Sequence, residues 1–359
     1  MRIIITGGGT GGHLFPGIAV AQAMQQRFPD GKVMFVSTDR SIDNQALRNL
    51  ELQKESISCL GIKGKSLLGT LQAMVRLPLS LWQAIKIVKG FKPNLVLGVG
   101  GYVTGPVVLA AKIMGIKTCI HEQNSVPGIT NRILGKMVNR IYTSIPGSEK
   151  FFAVGKTVLT GNPVRREILA VADQRPAQSE LKTMLVLGGS QGAHQVNKLV
   201  VEALAAAGLP AGFSVIHQTG VKDEEWVRNA YAQEGIKAEV AAFIDDMAAA
   251  YAKADFVVSR AGATTLAELT ATGKPVIFIP YPYAADNHQV TNAQFLVVGG
   301  AAVMFEESGL TAAKLQEQIE AFLNDAQLLG QMGKKMRTFA KPGATQSIVD
   351  ESVRLLNRV

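Results

Sequence analysis

Four times in this chain an apolar, strand-like run gives way to glycine and then to a helical pattern. The junctions are "ITGGGTGGH" at 5–13, "LGVGGYVTGP" at 97–106, "LVLGGSQGAH" at 185–194 and, with one glycine followed by two threonines, "SRAGATTLAEL" at 259–269. A short Val/Ile/Leu run that feeds a glycine turn and then a helix is the start of a βαβ unit, whose strands lie parallel and are covered on both faces. Glycine at such a turn lets the backbone take φ > 0 and lets a ligand approach the N–H groups of a helix N-terminus, where the dipole favours anions. One such loop is as readily a bare tight turn. Four of them, spread over both halves, predict a ligand site at the carboxyl ends of the strands.

The pattern runs once, stops and restarts. "RIII", "KVMFVS", "NLVLGVG" and "KTCIHE" read as buried strands, with "FPGIAVAQAMQQRF" and "GPVVLAAKIMG" as helices between them. After "TGNPVRREI" come "KTMLVLGG", "FSVIHQTG", "AEVAAFI", "DFVVSRAG" and "KPVIFIP". At 359 residues, 47% of them apolar, the chain suits two domains with substantial cores. The expected fold is α/β: two Rossmann-like, doubly wound parallel-sheet domains, 1–163 and 164–343, facing across a cleft. The terminal segment 344–359 is expected to pack back onto the first.

Cys59 and Cys119 are the only cysteines. They argue against a disulfide framework or a cysteine metal site and fit a reducing compartment. The five histidines show no metal-ligand spacing. "MRIIIT" runs directly into a glycine loop, so no signal peptide is expected, and no apolar run approaches the ~20 residues of a membrane helix. These features predict a soluble, cytoplasmic protein. The net charge of +9 is uneven: residues 1–163 carry 19 Lys/Arg against 7 Asp/Glu, the remainder 18 against 21. Between Glu55 and Glu122 there is no acid, while Lys63, Lys65, Arg76, Lys86, Lys89, Lys92, Lys112 and Lys117 all fall there. The first half is therefore expected to face an anionic surface or partner. Nucleic acid is not indicated, since no basic-aromatic binding module is present.

Gly7, Gly9 and Gly12 match G-x-G-x-x-G, and Asp39 ends the second strand where a ribose-binding acid belongs, so a nicotinamide oxidoreductase is one reading. It leaves the second-half loops without a task. The stretch 259–296 is more specific. Gly262 to Thr265 offer N–H groups and hydroxyls to a diphosphate; Glu268, one turn later, suits two adjacent ribose hydroxyls; Asn287, His288, Gln289 and Asn292 suit sugar hydroxyls.

With "TGGGTGGHLFP", "GGYVTGP", "HEQN", "TGNPVR", "GGSQGA", "SRAGATTLAEL" and "DNHQVTNA" all present, the chain resembles the GT-B glycosyltransferases nearly end to end. Within them it is most similar to the branch that adds N-acetylglucosamine to lipid I at the bacterial inner membrane. The resemblance implies a UDP-N-acetylglucosamine donor held mainly by the second half. Its uracil would lie near Ile244, its ribose at Glu268, its diphosphate at Ser190 and the helix start Ala263, Thr264, Thr265, Leu266 and Ala267, and its sugar at Gln289. Thr10, Gly11, Gly12, Asn124 and Arg165 would close on the donor. The acceptor, an undecaprenyl-diphosphate-linked muramyl pentapeptide, would be held by the first-half glycine loops, including Gly101 and Tyr102. Another GT-B enzyme on a UDP-sugar, a lipid glycosyltransferase or an epimerase, is the alternative within the fold.

A β-1,4 product from an α-linked nucleotide sugar requires inversion, hence a base for the acceptor hydroxyl. His13 is the first candidate because imidazole is neutral near pH 7, and Glu122 is the rival; His13 as a helix cap or loop-orienting group is equally open. No D-x-D occurs, so neither a metal nor another cofactor is expected. Asp245–Asp246 reads as a helix cap, and His194 and His217 as local hydrogen-bonders. Leu67, Leu68, Leu71, Met74 and Val75 recur at helical spacing before Pro78, which is expected to break or kink the helix. Leu79, Trp82 and Ile85 follow. Most of these apolar positions suit packing on the sheet, whereas Arg76, Trp82, Lys86 and Lys89, joined by Lys136 and Arg140, suit anionic lipid headgroups. That places the protein peripherally on the cytoplasmic face of the inner membrane, with partners among cell-wall synthesis or division proteins left open.

Overall fold

The computed structural model describes the 359-residue chain apart from residues 41–42, 44–46, 49–51, 60–66, 172–181, 190–191 and 358–359; the side chains of 67–76 lie outside the description as well. The chain divides into two units, residues 1–165 with 342–359, and residues 166–341.

In the first unit, β1 (Arg2–Thr6), β2 (Lys32–Ser37), β3 (Gln53–Ser56), β4 (Leu95–Gly98), β5 (Lys117–Glu122), β6 (Arg140–Thr143) and β7 (Thr157–Leu159) form one sheet. Its order is β3-β2-β1-β4-β5-β6-β7 and every pairing is parallel. Helices α1 (Gly11–Arg27), α2 (Leu67–Phe91), α3 (Thr104–Ile113) and α4 (Ile129–Gly135) follow strands in this unit. Successive side chains of β1 go to opposite faces, the period of two that a strand imposes. Ile3 and Ile5 pack with Leu14, Ile18 and Met24 of α1, while Ile4 packs in a separate cluster with Val88, Phe91 and Val107.

The second unit repeats the plan. β8 (Thr183–Leu187), β9 (Ser214–Gln218), β10 (Ala238–Ala241), β11 (Phe256–Ser259), β12 (Val276–Phe278) and β13 (Ala302–Met304) lie in the order β10-β9-β8-β11-β12-β13, again parallel throughout. Its helices are α5 (Arg166–Val171), α6 (His194–Ala206), α7 (Glu224–Gln233), α8 (Met247–Lys253), α9 (Ala263–Thr272), α10 (His288–Val298), α11 (Ala312–Asn324) and α12 (Ala326–Thr338). The last helix, α13 (Ala344–Asn357), belongs to the first unit. Its Ile348, Val349 and Leu355 enter the core around Ile3 and Leu14, and Ser352 Oγ lies 3.0 Å from the Tyr142 hydroxyl. Burying three such side chains contributes on the order of 5 kcal/mol, a large share of a domain's net stability.

Strand order reverses between β1 and β4 in the first unit and between β8 and β11 in the second. These are the topological switch points at which open α/β sheets hold ligands. The loops that flank them follow β1, β4, β8 and β11, and they are the four junctions with which the sequence began.

Three expectations change. β3, β6, β7 and β13 add strands that the apolar runs did not mark; β3, "QKES", is exposed at every position because it is an edge strand, where charge protects against stray pairing. Helix α1 starts at Gly11, one turn earlier than "FPGIAV" suggested, so His13 sits in its first turn with Pro16 inside the helix. Pro78 does not break α2, which continues to Phe91 while Ala84, Val88 and Phe91 hold it in the core.

Candidate functional site

In the first unit the loop after β1 is tied down by an acid outside every motif. Asp43 is fully buried, and its two carboxylate oxygens accept the Gly9 N–H at 2.9 and 3.0 Å. One of them also accepts the Thr38 hydroxyl at 2.6 Å and the Thr38 N–H at 3.2 Å. Arg40 donates to the Gly9 carbonyl at 3.2 Å. Asp39, the ribose-binding candidate of the nicotinamide reading, is exposed.

The loop after β4 lies against the first. Gly100 and Gly101 take φ of +102° and +83°. A Cβ on Gly100 would stand 2.5 Å from His13 Nδ1, and one on Gly101 would strike the Gly8 carbonyl. Only glycine satisfies both the dihedral and the contact, and the result is an imidazole laid on bare backbone. Thr10 is the N-cap of α1 and its carbonyl accepts the His13 N–H at 3.2 Å. Gly11 is buried, Gly12 exposed and His13 half-buried, with Tyr102 exposed nearby in sequence to Gly101. The Arg165 guanidinium stacks 4.6 Å from the Phe15 ring centroid, which sets it beside the start of α1.

The end of β5 supplies the remaining polar groups. His13 Nδ1 lies 3.2 Å from Gln123 Oε1, and Gln123 Nε2 donates to Val99 O at 2.6 Å and to His121 Nδ1 at 3.2 Å. His121 Nε2 faces Gly161 O at 3.1 Å and Ser144 Oγ at 2.9 Å. Burial pushes the His121 pKa down to about 4; its bond to Gly161 opposes the shift and nearby His13 adds to it. His121 is thus a neutral, structural histidine.

Glu122, the rival base, has both carboxylate oxygens engaged. One oxygen accepts the Asn124 N–H at 2.9 Å and the Asn124 amide at 3.2 Å; the other accepts the Gly128 N–H at 3.2 Å and the Asn131 amide at 2.8 Å. Burial raises its pKa and these four donors lower it. A carboxylate whose lone pairs are so committed anchors the 123–128 loop. Asn124, expected at the donor, is bound to Glu122 through both its main chain and its side chain.

The second unit gathers its residues around the turn after β11. Helix α9 opens at Ala263 behind Gly262, an extended N-cap with no side-chain cap, and Ala263, Thr264 and Thr265 form its first turn. Leu266 is buried and its N–H donates to Gly262 O at 2.9 Å, while Ala267 is half-buried inside the helix. Glu268 is buried, with the Tyr251 hydroxyl donating to its Oε2 at 3.0 Å. Gln289 Oε1 accepts the N–H of Ala261 at 3.1 Å and of Tyr281 at 2.9 Å. Its carbonyl is therefore committed to the fold, and its amide N–H groups are the part that suits a sugar oxygen.

Of the other polar residues expected there, Asn292 is buried and donates to Ala261 O at 3.2 Å, and His288 Nδ1 donates to Ala285 O at 2.7 Å. Asn287 occupies the left-handed region at φ 53°. Ile244 lies half-buried between β10 and α8, where Asp246 Oδ1 accepts the Ala249 N–H at 2.9 Å and caps α8. His194 pairs with Asp223 at 3.0 Å, and His217 with Tyr231 and Asn197 at 2.9 and 3.1 Å, so both are local hydrogen-bonders. Ser190 lies outside the described residues.

The basic and apolar candidates are distributed along α2 and beyond. Ala84, Val88 and Phe91 face the core, whereas Leu77, Leu79, Trp82, Lys86 and Lys89 face outward; Trp82 is 60% exposed, with the Lys86 ammonium 5.8 Å from its ring centroid. Lys136 is exposed after α4, while Arg140 donates to Gly155 O at 2.7 Å. Arg76, with Leu67, Leu68, Leu71, Met74 and Val75, falls on α2 but its side chain lies outside the description, as do Lys63 and Lys65 altogether.

Asp43, Gln123 and Tyr251 are the residues missed from sequence. Gln123 had a signal, since it stands between Glu122 and Asn124 in "HEQN". Asp43 and Tyr251 had none.

The glycosyltransferase family 28 N-terminal domain matches residues 3–143, and the glycosyltransferase family 28 C-terminal domain matches residues 183–348. A relative from Desulfotalea psychrophila, a UDP-N-acetylglucosamine–N-acetylmuramyl-(pentapeptide) pyrophosphoryl-undecaprenol N-acetylglucosamine transferase, is 48% identical over 99% of this chain and 97% of its own length. One of the same name from Geotalea uraniireducens is 47% identical over 99% and 98%. Among solved structures, Acinetobacter baumannii MurG superposes with a TM-score of 0.78 at 32% identity, covering 98% of this chain and 99% of that one. A UDP-N-acetylglucosamine 2-epimerase shares the fold, with a TM-score of 0.71 at 13% identity over 99% and 96% of the two chains. The chain belongs to glycosyltransferase family 28, in the branch that includes these N-acetylglucosamine transferases.

Proposed function

We propose that this chain transfers N-acetylglucosamine from UDP-N-acetylglucosamine to the C4 hydroxyl of the muramyl sugar of lipid I, forming lipid II and UDP for peptidoglycan synthesis. The observation that carries this reading is 48% identity over almost the whole chain with a transferase of that activity. The placement of all four glycine junctions at switch points supports it. The second unit binds the donor: the ribose at Glu268, the diphosphate at the α9 N-terminus, the sugar at the Gln289 amide and the uracil beside Ile244. The glycine loops of the first unit, with Tyr102, take the acceptor.

Transfer is one in-line displacement. The acceptor C4 oxygen bonds to the anomeric carbon as the bond from that carbon to the β-phosphate oxygen breaks, and the electron pair leaves with UDP. The C4 hydroxyl proton passes to His13 Nε2. The growing charge on UDP is met by the α9 dipole and by Arg165.

The protein docks peripherally on the cytoplasmic face of the inner membrane through the outward stripe of α2. Trp82 and its neighbouring lysines lie in a stretch from 56 to 121 without a single acid. Among the described residues no helix is long and apolar enough to cross a membrane.

The test is UDP release with and without a short-chain lipid I analogue. Wild type should release UDP only with acceptor. Glu268→Gln should raise the donor KM roughly tenfold or more, since hydrogen bonds to a charged group are worth about 1.5–3 kcal/mol. His13→Ala should lower kcat by about 10²–10⁴ with donor binding kept. Donor binding without acceptor-dependent release would point to a different acceptor and sink the assignment.

A further inference from the structure

We propose that Gln123 sets the protonation of His13, holding its imidazole with the proton on Nδ1 so that Nε2 is the nitrogen that takes the acceptor proton. This rests on His13 as the base and adds the group that makes it one.

The assignment follows from two main-chain carbonyls, which can only accept. The Gln123 atom 2.6 Å from Val99 O must be the amide nitrogen, so the amide oxygen is the atom that faces His13 Nδ1. An oxygen there demands a proton on Nδ1. The second amide hydrogen points at His121 Nδ1, 3.2 Å away, which must then accept. That puts the His121 proton on Nε2, where Gly161 O stands 3.1 Å away to receive it. Every donor in the chain thus meets an acceptor, and reversing any member sets like against like.

The relay is rigid. Gln123 and His121 are 1% and 0% exposed, and Gly100 packs against the His13 ring. The Nδ1–H bond to Gln123 Oε1 can persist in both the neutral and the cationic ring, which leaves Nε2 as the nitrogen that exchanges the proton. The titratable group that faces His13 from β5 is His121, itself held neutral by burial. On the β1 side, Arg40 and Asp43 engage Gly9 and stabilise the loop. A histidine whose two nitrogens compete for the proton would be a base for only part of the time; which nitrogen carries it is set by the bond the other makes.

Two readouts test this on the intact protein. Nitrogen-15 NMR of labelled histidines, with the His13 signals identified by their loss in His13→Ala, should show a protonated Nδ1 and an unprotonated Nε2. Gln123→Met, close in shape but without the amide, should mix the tautomers. A protonated Nε2 in wild type, or no change in Gln123→Met, overturns the assignment without reference to activity.

In turnover, Gln123→Met should lower kcat about tenfold or more at unchanged donor KM, and should cost nothing further in the His13→Ala background. A further loss there would mean that Gln123 acts only through the fold. If His13→Ala keeps full turnover, the base itself is misassigned. If His13→Ala is inactive and Gln123→Met is not impaired, His13 stays as base and Gln123 leaves the mechanism.

Discussion

Glu122 is the chain neighbour of Gln123 and His13 meets it at 3.2 Å, yet their surroundings assign them opposite tasks. Glu122 accepts four N–H bonds, so taking a proton would turn an acceptor into a donor facing donors. Glu122→Gln has the same consequence: one oxygen becomes an NH₂ group against N–H partners. It should lower unfolding free energy by about 2–3 kcal/mol, the scale of losing hydrogen bonds to a charged group, with a lower Tm alongside any loss of turnover. A Glu122→Gln protein as stable as wild type but inactive would restore Glu122 as the base. Sequence alone held the two apart only as candidates, because an acid at a strand end looks the same whether it holds a loop or a proton. Asp43 and Gln123 were out of reach for the same reason. Their partners Gly9 and His13 lie 34 and 110 residues away, and nothing local marks the pairing.

At the scale of elements the sequence was far more legible, since a strand buried on both faces must be apolar throughout. β1, β2, β4, β5, β8, β9 and β11 announce themselves in this way. Edge strands such as β3 carry no such mark, and the boundaries of α1 and α2 were blurred by Pro16 and Pro78. Proline costs a helix one bond, and tertiary burial offsets it. Helix α2 shows what periodicity does decide. Positions 84, 88 and 91 are buried, and 82, 86 and 89 are exposed at the same i, i+4, i+7 spacing, so one helix presents both a core face and a basic, aromatic outer face. Each Lys near an anionic surface contributes about 1 kcal/mol. The combined change Trp82→Ala, Lys86→Ala and Lys89→Ala should therefore weaken sedimentation with vesicles containing anionic lipid by roughly 30-fold or more, while turnover of a soluble acceptor is retained. Loss of both together would mean that the stripe is structural.

The whole molecule has a shared acid weakness, one buried histidine in each unit. Burial pushes His121 in the first unit down to about 4 and His217 in the second down to about 3, with Asp223 opposing the second shift. An unfolded chain returns both to about 6.5. Between those values the unfolded state binds protons that the folded state refuses, so stability rises with pH there. It is fully present above about pH 6.5 and is lost as pH falls towards 4, at a slope approaching about 1.4 kcal/mol per pH unit for each histidine. By pH 5 each has removed roughly 2 kcal/mol, and because the two sit in different units neither half escapes. Urea midpoints should fall between pH 7 and pH 5 in wild type. They should fall by less in His217→Gln, which keeps a polar group beside Asn197 and Tyr231 without a titrating proton. Equal midpoints at the two pH values in wild type would show that these histidines are already charged in the folded protein. In the first unit that would also break the chain of donors from Gly161 to His13, since a protonated His121 cannot accept from Gln123.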